Sequence, residues 1–229
     1  RLALAQAIDR EFLDKVRGGG IGTVANGPFA KDVMGYLEDT GYPAFDVEAA
    51  KASAAAYKAE TGKDLEFVYS YGAGESGTLT AQEIQKQLQE AGIKMTPQPE
   101  GTQATLIDKA IGGTFQAVGW RNHPGADPDT QYVWWHGQGN PVNFGRIEDP
   151  EVDRLLEKGR SDPEDRQATY EELNRRFGSE VYNLWTTFTI WAIGTKPNVH
   201  GILGPDLPEG GSPFPGLGTG HFVHGMWLG

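Results

Sequence analysis

The chain has 229 residues, 38% of them hydrophobic, and a formal charge of −11. That length holds one large domain, or one domain with an appendage, and the acidic surface repels phosphate backbones, which argues against a nucleic-acid partner. The absence of cysteine excludes disulfides, a thiolate nucleophile and cysteine-bound zinc or iron–sulfur; no run reaches the roughly 18–20 apolar residues of a membrane-spanning helix, and no signal peptide is visible.

The opening, "RLALAQAIDREFLDKVRGG", reads as one amphipathic helix with Leu4, Ala5, Ile8 and Phe12 on a stripe. It starts without a cap, which raises the expectation of a fragment whose N-terminal part, with any targeting signal, lies ahead of Arg1. A glycine-rich connection follows. "FDVEAAKASAAAYKAETGK" is a helix capped by Asp46 and stopped by Gly62. "DLEFVYSY" alternates Leu65, Phe67, Tyr69 and Tyr71 against polar neighbours, a strand with one apolar face. "TAQEIQKQLQEAG" is a helix with Ile84, Leu88 and Ala91 on its stripe and Gly92 ending it. A short strand "IKMTPQ", a helix "TLIDKAI" and a strand "TFQAVGW" come next. Two helices then open on Asp-Pro, at Asp149 and Asp162, the arrangement of a cap followed by a pre-set first residue. "YNLWTTFTIWAIGT" reads as a long strand, and the chain after about Pro197 is rich in glycine and proline. Strands alternating with helices predict an α/β sheet with helices packed on it.

Gly72, Gly74 and Gly77 spell GxGxxG between a strand and a helix, with Glu100 further on. That is the outline of a dinucleotide fingerprint. Two features speak against it. Glu66 and Ser70 interrupt a strand that should be continuously apolar. Thr80 and Glu83 form a T-x-x-E capping box, which would start the helix after the glycines rather than among them. A plain strand-to-helix loop is the expected reading, and a nucleotide-dependent enzyme the alternative from another class.

Elsewhere, His221 and His224 have a metal-like spacing, but Gly218, Gly220 and Gly225 argue against a helix there. Asp127, Asp149 and Asp162 each precede proline and read as helix caps. No nucleophile motif appears and nothing calls for a cofactor or a metal. Trp120 stands at a strand end, where loops of open α/β sheets line ligand crevices, and a helix beyond it carries Tyr132, Trp134 and Trp135. Of the adjacent tryptophans, one is expected to face the core and the other not.

Several segments together resemble the family 5 extracellular solute-binding proteins, the oligopeptide, dipeptide and nickel receptors of ABC importers. "RLALAQAIDRE" is similar to that family's A-[IL]-D-R-[ED] helix end, "FDVEAAKA" to its Y-D-p-e-k-A element, and "AQEIQKQLQEAGIKM" to its Q-rich helix and following strand. "GGTFQAVGW" resembles its strand ending in g-W. "NFGRIEDPEVDRLLEKGRSDPEDRQATYEELNRRF" and "PNVHGI" resemble its later helices and return crossover. The resemblance runs in order over residues 1–203. It implies a non-catalytic, periplasmic-binding-protein-like lobe with a mixed sheet flanked by helices. Residues 1–203 would be the second lobe of a two-lobed receptor, and 204–229 a Gly/Pro-rich tail returning toward a first lobe ahead of Arg1. It further implies a periplasmic or extracellular location, with lipid anchoring through the N-terminal part as one route, and an ABC permease as membrane partner.

By the same resemblance, the ligand is a peptide or peptide-like solute held between lobes, with the backbone of Gly119, Trp120 and Arg121 as cleft wall. The acid that takes the ligand's ammonium would stand three residues after the tryptophan. His123 occupies that place, and Asp127 and Asp129 are the nearby carboxylates that could serve instead. A nickel complex or an oligosaccharide is the runner-up ligand, with Trp120 and Trp135 able to stack on sugar faces.

Overall fold

A break in the first helix is the earliest departure from the sequence pattern. The structure is a computed structural model that describes residues 1–122, 127–137, 139–190, 193–202 and 225–229. In it α1 (Leu2–Ala7) and α2 (Arg10–Gly18) are separate helices. Asp9 breaks the helix because its side chain accepts the Phe12 N–H at 2.9 Å, a cap in mid-pattern. Its own N–H is taken by the Gln87 side chain at 2.8 Å. The restart rotates the buried face: Leu13 is buried and Phe12 is exposed, contrary to the single stripe read from the sequence.

After β1 (Thr23–Val24), the connecting loop is stitched to a distant helix. Asn174 donates from its side chain to the Gly35 carbonyl at 2.9 Å, and Thr40 donates to the Asn26 carbonyl at 2.7 Å. Helix α3 (Val47–Thr61) follows as read, with Asp46 accepting from Ala49 N–H and Gly62 left-handed at φ 71°. Strand β2 (Glu66–Gly72) is parallel to β3 (Lys94–Glu100) on one side and β4 (Ala117–Val118) on the other. Helix α4 (Glu75–Glu90) links β2 to β3, and α5 (Gln103–Gly112), capped by Thr102, links β3 to β4. The apolar face of β2 packs as its alternation predicts: Leu65, Phe67 and Tyr69 lie against a core that includes Ile84, Leu88, Ile93 and Met95.

Strand β3 is longer than the sequence suggested and holds Pro97 and Pro99. The Lys94 N–H bonds to the Leu65 carbonyl, and the Glu100 carbonyl accepts from Ala73. In a parallel ladder the backbone groups of alternate residues point the same way. Residues 95, 97 and 99 therefore turn away from β2. The two prolines offer no donor on that outer side, and the Gln85 side chain takes the Met95 carbonyl at 2.9 Å.

A 3-10 turn (Pro128–Gln131) runs into α6 (Tyr132–Trp135), followed by α7 (Pro150–Ser161) and α8 (Arg166–Ser179). Asp127 caps the 3-10 turn and Asp149 caps α7, as read. Asp162 does not cap α8. It is the residue that ends α7, and its side chain accepts from Glu164 N–H at 3.2 Å; α8 starts at Arg166, after Asp165. A second core forms here from Phe29, Val152, Leu155, Leu156, Tyr170, Leu173 and Phe177. Each such side chain contributes roughly 1.5–3 kcal/mol on full burial. Of the long strand expected from Tyr182 onward, the described residues form β5 (Thr187–Phe188), paired antiparallel with β1.

The chain divides into two units, Arg1–Phe188 and Thr189–Gly229. Within the second, β6 (Val199–His200) pairs antiparallel with β7 (Trp227–Leu228), and the His200 ring stacks on Trp227 with centroids 4.2 Å apart. The expected boundary at residues 203 and 204, and the body of the Gly/Pro-rich tail with His221 and His224, lie outside the described residues.

Candidate ligand-binding site

Because β2, β3 and β4 are parallel, their C-terminal ends share one edge of the sheet, with Gly72 beside Glu100 and Ser70 beside Val118. Crevices of open α/β sheets form at such edges. The glycine motif lies on this edge, and one sequence argument about it fails. Helix α4 starts at Glu75, inside the motif, with Gly74 at φ 146° as its N-terminal cap. Thr80 is not a cap; its hydroxyl bonds back to the Ser76 carbonyl at 2.7 Å. Packing accounts for the third glycine, since a Cβ on Gly77 would sit 2.6 Å from the Gly72 carbonyl oxygen. Glu75 adds a negative charge to the first turn, which disfavours a phosphate at that helix end.

Glu100 is also spoken for. Lys109 of α5 reaches its buried carboxylate at 2.5 Å, and the same ammonium lies 3.3 Å from the Ser70 hydroxyl. The Lys109 hydrogen bond is the main cause that holds the Glu100 carboxyl below its ordinary range.

Strand β4 leads out of the sheet at Gly119, whose N–H bonds to the Ser70 carbonyl at 2.8 Å. Alternation then turns the N–H and C=O of Trp120 away from β2. Gly119 is glycine for a local reason: a Cβ there would overlap the Tyr69 hydroxyl. Burial pushes the Tyr69 phenol up, opposed by the charge of Arg17. Arg17, at the end of α2, also donates to the Thr187 hydroxyl at 3.2 Å. Sequence reasoning singled out neither Arg17 nor Tyr69 for this edge; they come from elements 52 residues apart, and no local pattern joins them.

Trp120 is half-buried and meets Phe144 edge-on, with centroids 4.6 Å apart. Its indole nitrogen is buried and, among the described residues, has no hydrogen-bond partner. Arg121 is exposed at the start of the following loop, and His123 lies outside the described residues. Asp127 caps the 3-10 turn and Asp129 lies within it, each beside an arginine. Arg166 lies 2.5 Å from Asp127, and Arg160 meets both oxygens of Asp129 at 3.0 and 3.3 Å. The Arg166 hydrogen bond is the main cause lowering the Asp127 pKa. Trp135 is buried against Phe177 and Trp185, so it offers no face to a sugar; Trp134 is the less buried of the two and packs on Phe144. Among the described residues no cluster of three or more His, Cys, Asp or Glu side chains could hold a metal ion.

Residues 1–144 match the family model for the middle part of the bacterial extracellular solute-binding proteins, family 5. The chain belongs to that family. Among solved structures, this family 5 chain resembles HbpA2 from Haemophilus parasuis (22% identity, TM-score 0.75, covering 100% of this chain and 44% of that one). It also resembles the oligopeptide-binding protein AppA from Bacillus subtilis, solved with a nonapeptide (21%, 0.72, 82% and 40%). A third is NikZ from Campylobacter jejuni, solved with Ni(L-His) (19%, 0.66, 82% and 41%). At these identities the likeness establishes the fold, an α/β lobe of the periplasmic-binding-protein kind. The family 5 chain spans 40–44% of the length of these three structures. No curated protein sequence matches it.

Proposed function

We propose that this chain is one lobe of a solute receptor for an ABC importer and forms one wall of a cleft for a peptide or peptide-like solute. The observation that carries this reading is the end of β4. There the backbone of Trp120 turns its N–H and C=O out of the ladder, beside a half-buried indole, and among the described residues no hydrogen bond engages them. An extended peptide supplies donors and acceptors at the matching spacing, as in strand addition to a sheet edge. In this reading Gly119, Trp120 and Arg121 form the wall, and His123, Asp127 and Asp129, close behind them in sequence, supply the polar groups beside it. The role is binding without catalysis. The partners are a second lobe, an ABC permease in the membrane and the solute; nucleic acid is not among them. The setting is the periplasm or the cell exterior. The peptide found with AppA and the family membership support this choice of ligand class.

Native mass spectrometry of the purified chain, followed by calorimetric titration with trialanine, a nickel–histidine complex and a small oligosaccharide, tests the reading. Weak but saturable binding of trialanine is expected, since this chain supplies one wall of the cleft. Binding confined to the nickel complex or the sugar would replace the ligand class, and turnover of a substrate would overturn the receptor reading.

A further inference from the structure

Trp120 presents an uncommon situation for an indole beside a binding edge. A buried tryptophan N–H ordinarily finds an acceptor, which fixes the ring's rotation as well as its depth. Here the nitrogen is buried and, among the described residues, unbonded. With no hydrogen bond to fix it, packing sets the orientation of the ring, and among the described residues its aromatic contact is with Phe144. The Phe144 ring stands 4.6 Å from Trp120 at 71° and 5.9 Å from Trp134 at 60°, edge-on to both.

Phe144 is in turn held by its neighbours on either side. Asn143 is buried; its side-chain amide donates to the Ile147 carbonyl at 2.8 Å, and its amide oxygen accepts the Ile147 N–H at 3.2 Å. Those two bonds close a tight turn with Phe144 at its tip. Arg146 adopts φ 50°, a left-handed conformation that a non-glycine residue takes only when its surroundings enforce it. The guanidinium donates to the Ile111 carbonyl at 2.6 Å and to the carbonyls of Pro141 and Asn143, each at 3.3 Å. Ile111 is in the last turn of α5, where free carbonyls favour a cation. Gly113, just past the helix at φ 65°, leaves room: a Cβ there would lie 3.1 Å from the guanidinium. Helix α5 leads directly into β4 and Trp120. Arg146 therefore closes a circuit from the end of α5, through the turn bearing Phe144, to the indole at the end of β4.

We infer that Phe144 is a positioning residue for Trp120 at the solute-binding edge, and that Arg146 sets Phe144 by bridging its turn to the end of α5. The consequence for binding rests on the receptor reading above; the positioning itself does not.

The two are separated by measuring first without ligand. The full chain is labelled with 5-fluorotryptophan, and the Trp120 fluorine resonance is assigned from its loss in Trp120→Phe. Phe144→Leu keeps apolar bulk but removes the ring edge, so the Trp120 resonance should shift or broaden, while those of Trp135, Trp185 and Trp227 stay in place. Phe144→Tyr keeps the ring and should restore the wild-type position. Arg146→Ala should act in the same direction as Phe144→Leu. A merely structural role would lower the melting temperature without a selective change at Trp120. A Trp120 resonance unmoved in both Phe144→Leu and Arg146→Ala overturns the inference. Trialanine titration then reads the consequence: Phe144→Leu should weaken binding roughly two- to tenfold, the worth of an aromatic pair. If wild type ignores trialanine, the receptor reading for peptides fails, while the ligand-free spectra still decide the positioning.

Discussion

Arg176 of α8 places its guanidinium Nε 2.5 Å from the Asp149 carboxylate that caps α7. The Tyr182 hydroxyl donates to the same carboxylate oxygen, and Asp149 is the group that ties two helices and the following segment into the second core. Burial alone would push this carboxyl up; the hydrogen bonds from Arg176, Tyr182 and the Glu151 N–H outweigh it, and the net direction is down. Burial and the same carboxylate push the Tyr182 phenol up to about 12.

Asp149→Ala removes a cap and leaves Arg176 without its partner. The expected loss is about 2–4 kcal/mol, and Asp149→Asn, which can still cap, should lose less. Because the folded pKa lies below the ordinary carboxylate value near 3.9, the stabilisation is fully present above that value and is lost as pH falls through the folded pKa. Melting temperatures of wild type and Asp149→Asn should differ most above about pH 5 and draw together as the pH falls through the folded pKa of Asp149. A constant gap across the range would show that the charge of Asp149 is not what stabilises.

Gly119→Ala should destabilise the chain by about 1–3 kcal/mol through overlap with the Tyr69 hydroxyl. Removing that hydroxyl in Tyr69→Phe should restore part of the loss in the double variant. Denaturant midpoints of the four proteins give the coupling directly. Strict additivity would mean that Gly119 is needed for its backbone and not for the room it leaves.

Asp127 and Asp129 form two pairs with Arg166 and Arg160, so their pull on a solute ammonium is largely offset at rest. We propose that the solute exchanges into one of these pairs. Exposed pairs of this kind are worth at most about 1 kcal/mol, so Asp127→Asn and Asp129→Asn should leave the melting temperature nearly unchanged. One of them should lose most of the preference for trialanine over N-acetyl-trialanine. Retention of that preference in both would move the ammonium anchor to another part of the receptor.

The glycine motif gives a negative expectation. Glu75 puts an acidic residue in the first turn of α4, which disfavours an anion there, and Glu100 is bound by Lys109. NADH fluorescence and ATP calorimetry up to millimolar concentration should show no saturable binding. A saturable complex abolished by Gly74→Val would restore the nucleotide reading.

How much of this was legible in the sequence depended on how far apart the deciding partners lie. Helix α3 and the start of α7 were readable because Asp46 with Gly62, and Asp149 with Pro150, act on their own helices. The break between α1 and α2 was not, because the Asp9 N–H is taken by Gln87, 78 residues away. The start of α4 was misread because Thr80 fits a capping box in sequence, yet the strand end at Gly72 brings the chain into helix earlier. The segment after Tyr182 has strand-like residues, but β1 offers only Thr23 and Val24 as partners. At the site, Trp120 at a strand end could be anticipated from the strand-then-loop pattern. The arginine partners of Asp127 and Asp129 lie 39 and 31 residues away and leave no local trace.

The two prolines of β3 have a consequence for the chain in company with its own copies. Among the described residues β3 is an outer strand of its sheet, and such an edge invites a neighbour to continue it. With Pro97 and Pro99 facing outward and the Met95 carbonyl already occupied, a second molecule docking along β3 would find too few hydrogen-bonding sites to hold on. Replacing both prolines with threonine should therefore raise self-association through that edge, read by light scattering.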